Sequence, residues 1–198
     1  MKRILLCATA AAVSLSAAFA LGIGDKAPST RVKMKNVDGR ELSIKDVAGE
    51  KGTLVVFSCN HCPYVTAWQE RIAAIGNAAM ERSIGVIVIN SNDPKAHAED
   101  GYEQMRQRAG ELRFNFPYVV DKTSDVARNF GATRTPESFL FSKEGTLVYH
   151  GAIDDSHKPA NVQQHYLKDA IEALVSGKNV RVKETKSVGC SIKFRESK

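Results

Sequence analysis

Thr53-Leu54-Val55-Val56-Phe57-Ser58-Cys59-Asn60-His61-Cys62-Pro63 sets the fold of this 198-residue chain. Thr53 to Phe57 is short, apolar and rich in β-branched side chains, the pattern of a buried strand. Beyond the cysteines, Val65, Trp68, Ile72, Ile75 and Ala79 recur at steps of three and four, which predicts a helix over 62–80. Two cysteines therefore stand where a buried strand turns into a helix. Unpaired backbone N–H groups and the positive end of the helix dipole face such a turn. A thiolate placed there meets donors, so a reactive cysteine is expected and not merely a buried one.

Outward from that turn the pattern alternates. Val32, Met34, Leu42 and Ile44 flank the turn pair Asp38-Gly39 and predict a β-hairpin over 31–45. Gly85 to Asn90 reads as a second buried strand, completing a βαβ unit with parallel pairing. Asp93-Pro94 predicts the start of a helix over about 95–112, its buried side marked by Tyr102, Met105, Ala109 and Leu112. Pro117 to Val120 is a short strand, and Thr123 or Ser124 caps a short helix bearing Val126 and Phe130. Ser138–Phe141 and Leu147–His150 form a hairpin around Gly145. Pro159 is expected to open the last helix, with Gly177 after its end. Gly76 is expected to weaken or kink the first helix by about 1 kcal/mol. Pairing a parallel βαβ with an antiparallel ββα gives an α/β class fold: a three-layer α/β/α sandwich with an N-terminal β-hairpin extension and a C-terminal tail.

At 43% hydrophobic and 25% charged, the composition is that of an ordinary globular domain. Residues 1–20 differ. Lys2 and Arg3 precede an apolar, alanine-rich run ending in Ala18-Phe19-Ala20, the form of a signal peptide that also contains Cys7. Export, with a periplasmic location, is the expectation; an uncleaved N-terminal membrane anchor is the alternative, and it alone would bring peripheral membrane contact. The domain would then span 21–176, and 177–198 would be a tail carrying Cys190. Without Lys2 and Arg3 the net charge falls from +6 to +4. The basic residues are scattered, so no nucleic-acid partner is expected. Three cysteines remain: Cys59, Cys62 and Cys190. The number is odd, so at least one lies outside any intramolecular disulfide.

Gly24-Asp25-Lys26-Ala27-Pro28, the Phe57–Pro63 motif, Thr135-Pro136-Glu137 and Gly145 together carry a resemblance over about residues 24–176. The chain resembles the exported thioredoxin-like proteins of the redoxin (AhpC/TSA-like) family, which includes membrane-associated thiol reductases and peroxiredoxins. The resemblance implies a thioredoxin-like fold and a cis peptide at Pro136 beside the reactive cysteine. It also implies that Thr135 offers its backbone to an extended substrate strand. Departures from thioredoxin are Ser58 for Trp, Asn60-His61 for Gly-Pro, Thr53 for a buried Asp, and a longer 91–116 region. The missing Asp leaves His61 as a partial replacement in proton transfer.

The chemistry expected is thiol–disulfide exchange. Cys59, taken as nearest the helix start, is the expected nucleophile; Cys62, one turn on, resolves the mixed disulfide. A charged His61 between them favours the thiolate and suggests a couple more oxidising than thioredoxin, with a cysteine pKa between about 7 and about 3.5. Cys190 is a possible auxiliary thiol, either coupled to the site or pairing between chains. No second C-x-x-C or matching histidine pair is present, so neither metal nor cofactor is expected. Expected partners are protein disulfides or dithiols and a membrane-bound redox protein. Two alternatives stand beside this. One is a peroxiredoxin-like peroxide reductase, against which Val56 stands where Thr or Ser would be needed. The other is a copper-handling thioredoxin-like chaperone, with His157 as third ligand. His97, His150, His157 and His165 otherwise read as surface or helix-flank residues, and Asp154-Asp155 as a loop.

Overall fold

The computed structural model describes residues 21–196; the expected signal peptide and Cys7 lie outside the described residues. β1 (Met34–Asn36) and β2 (Glu41–Leu42) pair antiparallel across Asp38-Gly39, where Gly39 takes φ +90° to close the turn. β3 (Gly52–Phe57), α1 (Pro63–Met80) and β4 (Ile84–Asn90) form the βαβ unit, with β3 and β4 parallel over Gly52–Phe57. α2 (Tyr102–Glu111), β5 (Tyr118–Val120) and α3 (Asp125–Phe130) follow. β6 (Arg134–Thr135), β7 (Glu137–Ser142), β8 (Leu147–Gly151), α4 (Tyr166–Val175) and β9 (Cys190–Ser191) complete the chain.

The main sheet runs β2-β1-β5-β4-β3-β7-β8, and β6 with β9 makes a separate two-stranded piece. β3 is buried along its whole length because it pairs on both sides and is covered on both faces. Its period of two sorts side chains between two cores. Leu54 and Val56 join Trp68, Ile72, Met105, Leu167 and Ile171 under α1, α2 and α4. Val55 and Phe57 join Val126, Phe130, Phe139 and Phe141 on the α3 face. These are the three layers of a thioredoxin-like α/β sandwich, and they hold the β3–α1 turn at the top edge of the sheet.

Two expected helix starts move. The helix predicted over 95–112 starts at Tyr102; Ala98–Asp100 is a single 3-10 turn. Asp100 lies there because its carboxylate is drawn into the cysteine turn, described below. Pro159 opens another 3-10 turn, Pro159–Asn161, and the last helix begins at Tyr166. Gly76 neither kinks nor ends α1. A Cβ there would stand 2.3 Å from the Phe116 ring, so glycine lets that ring pack against the helix.

Candidate active site

Pro63 fixes the shape of the C-x-x-C turn. A residue before proline is pushed out of the α region by the proline Cδ, and Cys62 has φ −68° and ψ 123°. The helix therefore begins at Pro63, and Cys62 is its N-cap residue. This corrects the expected geometry: Cys62 stands nearest the helix start, and Cys59 lies in the non-helical turn before it. Both are buried free thiols, 2% and 0% exposed, and Cys190 is a half-buried third.

The two thiols perturb each other in opposite directions. The Cys62 thiol is pushed down from 9.0 to about 4, chiefly by the Cys59 thiol beside it. The neighbouring Cys190 and the Val65 backbone push it the same way, against the opposing effect of burial. Cys59 is pushed up, first by its bond to Cys62, then by burial and by the Asp100 carboxylate. Its sulfur also lies 3.1 Å from the Thr135 hydroxyl. The balance within the pair thus favours ionisation at Cys62, the residue at the helix N-terminus. Cys190, by contrast, is pushed up to about 11 by burial and by the neighbouring Cys62.

Asp100 builds the floor of this turn. Its Oδ1 accepts the backbone N–H of Asn60 at 2.6 Å and of His61 at 3.2 Å. Its Oδ2 lies 2.6 Å from His61 Nδ1 and accepts Asn92 Nδ2 at 2.8 Å. The Asn60 side chain donates to the Glu99 carbonyl and accepts the Tyr118 hydroxyl. His61 stacks on His97 with ring centroids 3.7 Å apart. His97, half-buried and flanking the Ala98–Asp100 turn, is therefore also part of the site wall. Nothing in the local pattern marked Asp100, which reaches the turn from 40 residues away. Cys59, His61 and Asp100 each bring one potential ligand atom within 4.8 Å of the others. Asp100's oxygens are already engaged by N–H donors, so the cluster is a closed hydrogen-bond network and not an open cation site. His157, the ligand expected for copper, is outside it and packs edge-on against Tyr64 and Trp68.

The Thr135–Pro136 peptide is cis and lies beside the sulfurs. Cys62 Sγ donates to the Thr135 carbonyl at 3.4 Å. Glu137 holds the loop: its Oε2 accepts the N–H groups of Thr133 and Arg134, and its Oε1 meets His150 Nε2 at 2.7 Å. His150 is thus a second histidine with a structural partner. Asp154 is buried too, accepting Trp68 Nε1 at 2.7 Å and pairing with Arg71, which ties α1 to the loop after β8. The edge of β6 is occupied: Thr135 is in antiparallel register with Cys190 of the chain's own tail.

Comparison with known proteins places these features in context. The profile of the AhpC/TSA family matches residues 23–150. The thiol-disulfide oxidoreductase ResA of Halalkalibacterium halodurans is 22% identical over 115 residues, 58% of this chain and 61% of its own length. The chain thus spans less than two thirds of that relative. Among solved structures, an uncharacterized conserved protein from Geobacillus kaustophilus superposes with a TM-score of 0.83 at 36% identity, covering 90% of this chain and 95% of that one. A hypothetical protein from Sinorhizobium meliloti 1021 gives 0.82 at 30% identity, covering 90% and 98%.

Proposed function

The chain belongs to the AhpC/TSA family, and from that footing we propose that it is a thiol–disulfide oxidoreductase working through the Cys59/Cys62 couple. One observation carries the proposal: two buried free thiols stand together at a helix N-terminus, both within reach of Thr135 of the cis Thr135–Pro136 peptide. The ResA resemblance points the same way.

The order of events follows from where the charge sits. The Cys62 thiolate attacks a substrate disulfide, forming a mixed disulfide and releasing one substrate thiolate. Cys59, once its proton has passed to that leaving thiolate, attacks Cys62 Sγ. The second substrate sulfur departs, and the Cys59–Cys62 disulfide remains. His61, in contact with Asp100 and near Cys59, is a positioning residue that fixes the turn. The reverse sequence oxidises a substrate dithiol. Substrates are protein disulfides or dithiols, and a membrane-bound redox protein resets the couple. The leading segment supports export to an oxidising compartment, where such exchange is used. Among the described residues no helix is long and apolar enough to cross a membrane.

Limiting iodoacetamide at about pH 6 tests the assignment, because few ordinary thiols are ionised there. Peptide mapping is expected to find the label on Cys62. Label on Cys59 first would reverse the order of attack. Failure of both thiols to react faster than free cysteine, with no cycling by dithiol reagents, would remove the redox function itself.

A further inference from the structure

The C-terminal tail is built to cross the site. Residues 183–185 run beside β8, where the Lys183 carbonyl accepts the His150 N–H and Thr185 N donates to the His150 carbonyl. The chain then turns over the β6 edge. Arg134 Nη1 donates to the Gly189 carbonyl at 2.9 Å, and Ile192 N donates to the Thr133 carbonyl at 2.9 Å. A Cβ on Gly189 would stand 2.1 Å from the Thr135 carbonyl oxygen, so the approach admits no side chain. Ile192 is buried in the core under α3 and anchors the far side. Asn92 joins tail and site: its Oδ1 accepts Lys193 N at 2.9 Å while its Nδ2 donates to Asp100.

Between those anchors, Cys190 packs on the cluster of Cys59, Cys62 and Val65, in register with Thr135. An extended strand paired with the residue before the proline, bearing a sulfur against the site thiol, is the pose an extended disulfide substrate would take. We propose that β9 is a built-in substrate strand and that Cys190 is a third redox thiol, exchanging with Cys62. The inference rests on the redox reading above and assigns that site an internal partner.

The exchange balances without an added oxidant. In the oxidised protein, the Cys190 sulfur attacks Cys62 Sγ of the Cys59–Cys62 disulfide. The Cys59–Cys62 bond breaks and the Cys62–Cys190 bond forms. Cys59 leaves as thiolate and takes the proton that Cys190 gave up. One disulfide is present before and after. The exchange moves the disulfide from the interior to a half-buried tail residue, within reach of an external dithiol.

Disulfide mapping of the full chain tests this. Protein is oxidised with a cyclic disulfide reagent, acid-quenched, alkylated and digested with trypsin. The wild type is expected to yield two populations, one with Cys59 joined to Cys62 and one with the Cys62 peptide joined to peptide 187–193. In Cys59→Ser the Cys62–Cys190 bond is expected to form within one chain and to completion, whereas in Cys62→Ser a Cys59–Cys190 bond forms at least about tenfold more slowly, lacking the alignment. The inference is overturned if the Cys59–Cys62 disulfide forms normally while Cys190 remains fully alkylatable in both wild type and Cys59→Ser. It is also overturned if Cys190 links two chains on a non-reducing gel. Absence of any Cys59–Cys62 disulfide is a separate outcome and sinks the redox function as well. The wild-type digest needs no variant to fold.

Discussion

Placing the charge on Cys62 makes the reduced protein's stability depend on pH in a way the oxidised protein's does not. In the unfolded dithiol both cysteines keep their protons up to about 9, the ordinary value. In the folded dithiol Cys62 loses its proton at about 4, while Cys59 keeps its own to high pH. Between these limits the unfolded chain binds one more proton than the folded one. A depressed folded pKa gives stability that is present above the unfolded value and lost as pH falls through the folded value. Unfolding free energy should therefore rise by about 1.4 kcal/mol per pH unit from about pH 4 to about pH 9. At pH 7 the gain over a pair holding both protons is about 4 kcal/mol. Above about pH 9 the raised Cys59 reverses the sign, because the unfolded thiols both ionise and the folded one does not. The disulfide form has neither group. Denaturant unfolding of the reduced and oxidised Cys190→Ser protein, from about pH 5 to about pH 8, isolates the effect, since all other titrations cancel in the difference. A difference that rises at about one proton per unit is expected; a flat one would mean that both protons stay on the sulfurs and that the charge placement is wrong. The same thiolate stabilises the reduced couple, raising its potential by roughly 90 mV over a pair that stayed protonated.

Other substitutions test the scaffold. Asp100→Ala leaves the Asn60 and His61 N–H groups and the Asn92 amide without their buried acceptor, and should cost about 3–5 kcal/mol in denaturant unfolding; a loss under about 1 kcal/mol would show that the network does not hold the turn. Asp154→Ala strands the Trp68 N–H and removes the counter-charge of Arg71, which keeps its carbonyl acceptors, with an expected loss of about 2–4 kcal/mol by the same assay. Gly76→Ala should destabilise by about 1–3 kcal/mol in spite of alanine's better helix propensity, because Phe116 must move. Gly189→Ala should lift β9 from Thr135 and raise the alkylation rate of Cys190 toward that of a free thiol, with little change in Tm; an unchanged rate would mean that the tail does not cover this thiol through Gly189.

The sequence by itself determined the order of strands and helices, because periods of two and of 3.6 are local properties of consecutive side chains. Leu54 and Val56 against Val55 and Phe57 announced a strand buried on both faces, and C-x-x-C followed by Thr135-Pro136 marked the site. Local pattern misjudged the two helix starts at 95 and 159, since caps and prolines mark a possible turn and not its continuation. Which sulfur bears the charge was decided by tertiary structure. Pro63 put Cys62 at the helix cap, but the Cys59 thiol beside it is perturbed by Asp100 and Thr135, which arrive from distant segments. Asp100, His97 and the docking of Cys190 carried no local signal, because their partners in the cysteine turn and at Thr135 lie 36 or more residues away along the chain and are brought near by the packing of the layers.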